Sequence, residues 1–528
     1  MGEKEFQSGK LRGLSEFEKI ALICGQQLQL NKIQGRVEQL KCAHETGLCV
    51  HCTDKDTKIE ELNETIKSLR AKIYGRSSER RNRKKGNKEN KPKAKTRVRL
   101  PSEQYPNAKI KIETIAESAP PKCTECHEAM IDSGMRETSE RLEIIPMQIF
   151  IVQMQRVRYH CKCCQSAPVT AALPARIAAN TSLNDSVLVE ASLAKFYDLI
   201  PTERFAKMLG RSGIAISDKL LFSAQCYLAK AFYSVYLMLK QEVLTSRIVH
   251  ADESPHRMLE NNEGKYQWYL WSFCTKTSVY FEIHSTRAGT VSIALLKESK
   301  AEVLLSDVYS GYIRTIREVN EHRQANGVLE MKAAHCNDHA RRYFFYAKEQ
   351  AMAEKVLDVY EKIYAIEVKV QELVKVPAHI ASENSQMALQ LRQTMDPLFE
   401  KIYGLSCEIL LDNTTNSSIG QAANYFLKNL PGLTIFLTDL EIPISNAPAE
   451  RSIRNPVVGR KTWYGTHSRK GADTTAVHFS IFESCRLNGV NPREYYNHLA
   501  KLHNTGNPLL TPFQYCNQLK ILKPPPDS

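Results

Sequence analysis

The feature that most constrains the fold is a run of strand-prone segments in the middle of the chain. Residues 243–251, 266–274 and 278–284 are rich in β-branched and aromatic side chains, which are enriched in strands. A helical pattern follows at 291–297, and a further apolar strand is predicted at 301–305. Three successive strands, a helix and a fourth strand predict an α/β domain.

This order of elements is the opening order of a ribonuclease-H-like fold, in which the ends of the first and fourth strands lie side by side. The first predicted strand ends at Asp252 and the fourth ends at Asp307. The topology therefore predicts that these two carboxylates are neighbours. Their spacing alone leaves a structural role open, because an Asp at a strand end is often a turn or cap residue.

Neighbouring carboxylates predict a site for divalent cations. Mg²⁺ prefers oxygen ligands and keeps several waters, so two or three carboxylates are sufficient. Two such ions, about 3.5–4 Å apart, activate a nucleophile and stabilise the leaving oxygen of a phosphodiester. The third carboxylate is expected on a helix much later in the chain. Glu450 qualifies, because Pro448 just before it suits the first turn of a helix.

The charge of the chain favours a polyanionic partner such as nucleic acid. The 528 residues include 72 Lys and Arg against 58 Asp and Glu, a formal net charge of +14. The stretch 76–105 is basic and has few large apolar side chains, which predicts a flexible linker. A solubilising role is the alternative to phosphate contact. The candidate phosphate-binding residues of this linker are Arg76, Arg80, Arg81, Arg83, Lys84 and Lys85.

Residues 1–75 have the pattern of paired helices. Ile59, Leu62, Ile66, Leu69 and Ile73 alternate spacings of three and four, which predicts a coiled-coil-like seam. Such a helix pairs either with a second copy of the chain, giving a homo-oligomer, or with its own domain. Whether an intervening cluster binds a metal or holds unpaired thiols is left open; its members are Cys42, His44, Cys49, His51 and Cys52.

Two cysteine doublets predict a structural zinc domain at 106–175. Cys123 and Cys126 form one Cys-x-x-Cys pair, and Cys161 and Cys164 form the other. Four thiolates from two such pairs suit a tetrahedral zinc ion. The strand-prone segment between the pairs, 141–159, predicts a zinc-ribbon-like unit with an elongated hairpin.

The N-terminus lacks the basic and then apolar layout of a signal peptide, and no run approaches the ~18 apolar residues of a membrane span. Several of the fifteen Cys lie in Cys-x-x-Cys pairs, which favour metal binding over disulfides in a non-secreted protein. A cytoplasmic location without membrane contact is therefore expected.

The remaining segments are predicted to be mostly helical. Residues 176–240 read as a helix-turn-helix-like segment. The catalytic domain begins at 241–345 and resumes at 441–498, where Glu450 lies. A helical insertion at 346–440 separates the two parts, and residues 499–528 form a C-terminal tail.

Several motifs, in order, resemble those of insertion sequence 66 family transposases between about residues 59 and 496. They are Leu69-Arg-Ala-Lys-Ile-Tyr-Gly75, the two cysteine pairs, Lys195-Phe-Tyr-Asp-Leu-Ile-Pro201 with Arg211-Ser-Gly213, Ala251-Asp-Glu-Ser254, Asp307-Val-Tyr-Ser-Gly-Tyr312, Cys336-Asn-Asp-His-Ala-Arg-Arg342, Ala449-Glu-Arg451, Gly459-Arg-Lys461 and Asn488-Gly-Val490.

The resemblance implies a bacterial, nucleoid-associated Asp-Asp-Glu transposase that binds element terminal repeats and target DNA. Asp252, Asp307 and Glu450 would be the catalytic ligands of two Mg²⁺ or Mn²⁺ ions. The resemblance leaves open whether accessory proteins are required. The alternatives are a non-catalytic DNA-binding protein derived from such an enzyme and a nuclease that cuts without joining. Further candidates for phosphate contact near the site are His339, Arg341, Arg342, Arg451, Arg454, Arg460 and Lys461.

Overall fold

A computed structural model of the chain describes residues 167–260, 266–374 and 381–522, together with parts of the segment 100–163. The chain forms two compact units, Glu79–Met154 and a larger one that contains Gln155–Ser528. The predicted coiled coil at 1–75, its Cys and His cluster and the basic linker as far as residue 99 lie outside the described residues.

The described part of the smaller unit contains one short helix, α1 (Pro101–Gln104). The backbone N–H and the hydroxyl of Ser102 both donate to the Glu140 carboxylate, each at 2.8 Å. Lys122 and Ala129, which flank the first cysteine pair in the sequence, form an isolated antiparallel bridge.

The elongated hairpin predicted within 141–159 is wrong for the described part of that segment. Only β1 (Arg158–Tyr159) is a strand there, and it pairs antiparallel with the later strand β2 (Val169–Thr170). The preceding residues lack a buried face, since Phe150 and Ile151 are 75% and 94% exposed. A strand with no buried face and no partner gains little from extension.

The larger unit is built on a five-stranded mixed sheet. Its strands are β3 (Ile248–Arg257), β4 (Gln267–Cys274), β5 (Val279–His284), β6 (Val303–Ser306) and β7 (Lys332–His335). Their order in the sheet is β5-β4-β3-β6-β7, in which β4 pairs antiparallel with both β3 and β5, and β6 and β7 run parallel to β3. All four residues of β6 are buried, as expected for a central parallel strand with both faces covered.

The first strand begins later than the sequence pattern predicted. Residues 243–245 belong to the end of helix α5 (Tyr233–Thr245), and the strand starts only at Ile248. Tyr236, Leu239 and Val243 are buried at spacings of three and four, so tertiary packing of this helical face overrides the β-propensity of the segment.

In the described residues from 167 onward, four helices precede the sheet in the chain and two lie among its strands. They are α2 (Asp185–Phe196), α3 (Thr202–Arg211), α4 (Asp218–Ala231), α5, α6 (Thr290–Leu296) and α7 (Ser310–Ala325). Between α3 and α4 the chain turns through Gly213, whose φ of +82° lies in the region that glycine adopts without strain. The predicted order of helix, glycine-bearing turn and helix is therefore present.

The regular elements in the described residues after β7 are all helices, joined by short loops. They include α8 (Asn337–Tyr346), α9 (Ala351–Val374), α10 (Ala381–Gln393), α11 (Asp396–Asp412), α12 (Ser418–Thr434), α13 (Ala447–Trp463), α14 (Arg469–Leu487), α15 (Pro492–Asn504) and α16 (Pro512–Leu522). Helices α9 to α12 share a core with α8, β6 and β7, which includes Phe344, Tyr360, Phe399 and Phe426. No helix among the described residues is long and apolar enough to cross a membrane.

Helix α14 covers the edge of the sheet formed by β5. The backbone N–H groups of Val279 and Phe281 donate to the hydroxyls of Ser484 and Ser480, each at 2.9 Å. These contacts satisfy edge-strand donors that would otherwise be buried without partners. The predicted C-terminal tail, residues 499–528, is also packed in its described part, because Tyr515 of α16 is buried against Tyr495 of α15.

Candidate active site

Asp252 and Asp307 occupy matching positions on the neighbouring strands β3 and β6. The parallel pairing aligns His250 with Leu305 at its last register position. Asp252 lies two residues beyond His250, and Asp307 lies two residues beyond Leu305 and just past the end of β6. Adjacent strands lie about 4.8 Å apart, so the register brings the two carboxylates to one edge of the sheet.

Glu450 is brought to the same edge by the first turn of α13. Asn446, the residue before this helix, donates from Nδ2 to the Ala251 carbonyl at 2.8 Å. Its Oδ1 lies 3.1 Å from Nδ1 of His250. Burial lowers the pKa of His250 to about 4, so this ring is neutral at pH 7, with Nδ1–H as the donor. Glu450 then begins the helical ladder by donating its backbone N–H to the Asn446 carbonyl at 3.1 Å.

The electrostatics of Asp252 reflect this crowding of acids. Burial raises the pKa of the Asp252 carboxyl well above its usual range, and the negative charges of Glu253, Asp307 and Glu450 raise it further. One backbone N–H, that of Glu253, donates to Asp252 Oδ1 at 2.9 Å and opposes the rise. The group is thus a half-buried acid among like charges, an environment that a bound cation would relieve.

Two polar atoms beside these acids lack hydrogen-bond partners. Nδ1 of His339 and Oε1 of Glu450 lie 3.5 Å apart, and both are buried without a hydrogen bond to any described residue. Buried polar atoms are normally paired, so an unsatisfied pair at a cluster of acids indicates room for a ligand. Cys336, His339 and Glu450 together have donor atoms within 4.8 Å of one another.

Cys336 serves as an anchor in this group. It is fully buried, and its Sγ accepts the backbone N–H of Asn446 at 3.2 Å. Burial raises the pKa of this thiol to about 12, which favours its protonated form. The contact joins the start of α8 to the start of α13, and so places His339 beside Glu450.

The predicted phosphate-binding side chains of α13 differ in exposure. Arg451, Arg454 and Lys461 are exposed, and Arg460 is half-buried with Nη1 3.5 Å from Ser254 Oγ. Burial lowers the pKa of Arg460. Helix α13 therefore presents a basic surface that begins beside Glu450. The candidates on α8, namely His339, Arg341 and Arg342, are half-buried.

Other predicted site residues lie outside the described residues. These are the four cysteines Cys123, Cys126, Cys161 and Cys164, and the linker residues Arg76, Arg80, Arg81, Arg83, Lys84 and Lys85.

Sequence reasoning missed the roles of Asn446 and Arg287. Asn446 had a visible signal, since Asn is preferred immediately before a helix. In the structure its side chain makes no cap and reaches β3 instead. Arg287 pairs with Glu253 at 2.7 Å, and no local pattern indicated that contact.

The described residues define a mixed α/β protein in which acids from three distant segments meet at one sheet edge beside a basic helix. The chain belongs to the IS66 family of transposases. Residues 180–474, more than half of the chain, match the sequence model described as Transposase IS66 family. Residues 120–165 match the zinc-finger binding domain of transposase IS66, and that span contains all four cysteines of the predicted zinc site. The resemblance inferred from the motifs is thus confirmed.

Three curated proteins of Sinorhizobium fredii (strain NBRC 101917 / NGR234), each named as uncharacterized, are similar to this chain. Protein y4hP is 23% identical over 423 residues, which cover 76% of this chain and 73% of that protein. Protein y4jD is 23% identical over 418 residues, covering 76% and 77%. Protein y4qI is 22% identical over 394 residues, covering 72% and 70%. No solved structure matches the chain.

Proposed function

We propose that this chain is a DNA transposase that binds element ends and performs metal-dependent strand cleavage and strand transfer on a ribonuclease-H-like domain. The order β5-β4-β3-β6-β7, antiparallel on one side of β3 and parallel on the other, supports this fold. The observation that carries the function is the convergence of Asp252, Asp307 and Glu450 at one sheet edge, together with the raised pKa of Asp252.

The three carboxylates fit two Mg²⁺ or Mn²⁺ ions. Their oxygen atoms suit hard cations. Oε1 of Glu450 accepts no hydrogen bond, so it is available to bind a metal ion. When bound, such ions supply positive charge to the attacking and leaving oxygens of a phosphodiester. Asn446 positions one of the three ligands, because its two contacts with β3 fix where α13 begins.

The chain's own basic groups would bind and orient the DNA. Arg451 and Arg454 are exposed one turn apart on α13, next to Glu450, where they can hold a phosphate near the acids. The half-buried His339, beside Glu450, would contact the same strand. Water attacks the phosphodiester first, and the 3′-hydroxyl that this frees then attacks target DNA. No covalent enzyme intermediate is required.

Helix α3 would extend this DNA surface. It buries Phe205 and Leu209, while Arg204, Lys207 and Arg211 are exposed along its opposite side. The hydroxyl of Thr462, near the end of α13, donates to the Leu199 carbonyl just before α3 at 3.3 Å. Thr462 lies twelve residues beyond Glu450, or about 18 Å along the helix. A duplex bound along α13 would therefore reach α3.

The zinc-finger segment and the basic linker would add further DNA contacts. Cys123, Cys126, Cys161 and Cys164 would hold one structural zinc ion. The linker that begins at Arg76 would bind phosphates of the element ends in the nucleoid. Pairing through residues 1–75 would give a homo-oligomer, and accessory proteins could join it.

The test of catalysis is an assay on labelled DNA that carries the element ends. With Mg²⁺ or Mn²⁺ the wild-type protein should give nicked strands and strands joined to target, and EDTA should abolish both. Asp252→Ala should bind the DNA and produce neither product. Binding that persists in EDTA without any metal-dependent product would indicate a non-catalytic DNA-binding protein. Cut strands without joined strands would indicate a nuclease.

The test of the α3 surface is the salt dependence of DNA binding. Each lost phosphate contact lowers the slope of log affinity against log salt by about 0.9. The triple variant Arg204→Ala, Lys207→Ala, Arg211→Ala should lower it by about 2–3. The matched control, Arg314→Ala with Arg317→Ala on α7, removes exposed charges that pair with Glu318 and Glu321 and should leave the slope unchanged.

A further inference from the structure

Glu253, the residue after Asp252, is buried with both of its carboxylate oxygens occupied. Its side chain is 2% exposed. Oε1 accepts from Nε and Nη2 of Arg287 at 2.9 and 2.7 Å, and Oε2 accepts from the hydroxyl of Tyr312 at 2.6 Å. These three hydrogen bonds hold the Glu253 side chain in place beside Asp252.

Arg287 also contacts the segment that carries Asp307. Its guanidinium stacks over the ring of Tyr309 at 4.1 Å, and the Tyr309 hydroxyl donates to the Arg287 carbonyl at 3.1 Å. Tyr309 follows Asp307 by two residues, and its backbone N–H donates to Asp307 Oδ1 at 3.2 Å. One side chain thus links the two acid-bearing segments, which are 55 residues apart.

The backbone around this link is closely packed. A Cβ atom at Gly289 would lie 2.4 Å from the carbonyl oxygen of Gly311, so these two turns meet with no room for a side chain. Ser292 and Thr315, one turn further along α6 and α7, share a buried hydrogen bond of 2.7 Å. The loop that carries Arg287 therefore has a fixed position against the segment after Asp307.

We propose that Arg287 is a positioning residue of the metal site, which fixes the separation of Asp252 and Asp307 by binding Glu253 and stacking on Tyr309. Two like-charged carboxylates repel each other, so a site without cations tends to open unless its supporting segments are tied together. The same guanidinium compensates the negative charge of Glu253 beside Asp252. This inference rests on the proposed function, because it takes the acidic site to be the metal site.

The experiment measures Mn²⁺ binding to the full-length protein by calorimetry and by electron paramagnetic resonance, without DNA. Arg287→Met should weaken Mn²⁺ binding about 10–100-fold, the usual cost of losing a group that orients a metal ligand. Cleavage by this variant should recover substantially at saturating Mn²⁺, and its DNA affinity in EDTA should be unchanged. Arg287→Lys should restore part of the Mn²⁺ affinity, since it keeps the charge without the planar two-donor fork.

A matched control is Arg314→Met, because Arg314 is an equally exposed arginine that pairs with Glu318 on the surface of α7. It should leave Mn²⁺ affinity unchanged. Tyr312→Phe removes a single hydroxyl from Glu253 and should weaken Mn²⁺ binding about five-fold, as expected for one hydrogen bond. This milder variant decides the matter if Arg287→Met does not fold.

Wild-type Mn²⁺ affinity in folded Arg287→Met, or in Tyr312→Phe when that variant decides, would overturn the inference. Asp252→Asn separates this failure from a failure of the proposed function. If Asp252→Asn abolishes Mn²⁺ binding while the Arg287 and Tyr312 variants do not affect it, only the positioning role is wrong. If Asp252→Asn also binds Mn²⁺ normally, the acidic site is not the metal site and both ideas fail.

Discussion

The helical insertion and the acidic site bury charge in opposite ways. In the insertion, Arg392 of α10 is fully buried, and its Nε and Nη2 bind the Glu367 carboxylate at 3.0 and 2.5 Å. Its Nη1 donates to three backbone carbonyls at 2.7–3.1 Å, those of Phe436, Asp439 and Ile442. This buried cation therefore has an anion and a complete set of acceptors.

The acidic site is compensated only in part. The half-buried Asp252 lies among the negative charges of Glu253, Asp307 and Glu450. Arg287 pairs with Glu253, whereas Oε1 of Glu450 lies 3.5 Å from Nδ1 of His339 without forming a hydrogen bond. A saturated buried charge holds a fold together, whereas an uncompensated one costs stability that a ligand can restore. The difference assigns a structural role to Arg392 and favours a ligand-binding role for Asp252.

The largest expected effect is on activity, and it should be opposite in sign to the effect on stability. Asp252→Asn should lower strand-transfer rates by about 10³-fold, because several kcal/mol of metal-derived stabilisation is lost. In EDTA the same variant should melt at a temperature equal to or above that of the wild type, since like-charge repulsion is removed. Strand-transfer assays and thermal unfolding check both outcomes. A clear fall in melting temperature would show that Asp252, like Arg392, stabilises the fold.

The next effect is on stability alone. Arg392→Met should lower the free energy of unfolding by about 3–5 kcal/mol, because Glu367 is left as a buried charge without its partner. Urea unfolding measures this change. The double variant Arg392→Met with Glu367→Leu should recover part of the loss, and the exposed control Arg314→Met should change the free energy by less than about 1 kcal/mol. A loss of less than about 1 kcal/mol for Arg392→Met would contradict the structural role of Arg392.

Metal addition should separate the two regions directly. At 100 times its dissociation constant, Mn²⁺ should stabilise the wild-type protein by about 2.7 kcal/mol through binding the folded state alone. Arg392→Met should show the same gain from its lower baseline, and Asp252→Asn should show none. Unfolding curves with and without Mn²⁺ give these differences. Equal stabilisation of all three proteins would mean that Mn²⁺ binds elsewhere.

The smallest effect concerns Glu483 of α14, a buried acid that is compensated more fully than Asp252 but less fully than Arg392. It accepts from Nδ2 of Asn455 at 2.9 Å and lies 3.3 Å from Arg486, yet burial raises its pKa to about 7. Between the unfolded pKa near 4.5 and the folded pKa near 7, the folded state retains a proton that the unfolded state has lost. This group therefore lowers stability as pH rises through that window.

Glu483→Gln should abolish this contribution. Relative to the wild type, the melting temperature of the variant should rise by about 1–3 °C between pH 5 and pH 8, a modest change for a chain of this size. Thermal unfolding at the two pH values tests the sign. A fall in the relative melting temperature at pH 8 would show that Arg486 holds Glu483 ionised.

Much of the sheet could be predicted from the sequence because strand signals are local. The predicted strands at 266–274 and 278–284 match β4 and β5 to within one residue at each end. The first strand was placed five residues too early, because Val243 is drawn into a buried helical face. The predicted hairpin within 141–159 did not form in the described residues, where strand-prone side chains are exposed rather than packed.

Only part of the candidate site could be predicted from such local signals in the sequence. Asp252 and Asp307 could be chosen because each follows an apolar run in the sequence, and Pro448 marked the helix that carries Glu450. The predicted strand end at Asp252 is wrong, however, because β3 continues to Arg257. Asn446 and Arg287 could not be assigned roles, since their contacts join residues 195 and 34 positions apart. No periodicity in the chain records which distant backbone a side chain will meet.

The sequence by itself determined the types of most elements, the acids that follow its apolar runs and the family to which the chain belongs. Those properties depend on side-chain shape, local spacing and motif order, which act over a few residues at a time. Only the tertiary structure decided which buried charges are compensated and which are not. Compensation depends on packing between distant segments, as the saturated Arg392 and the crowded Asp252 demonstrate.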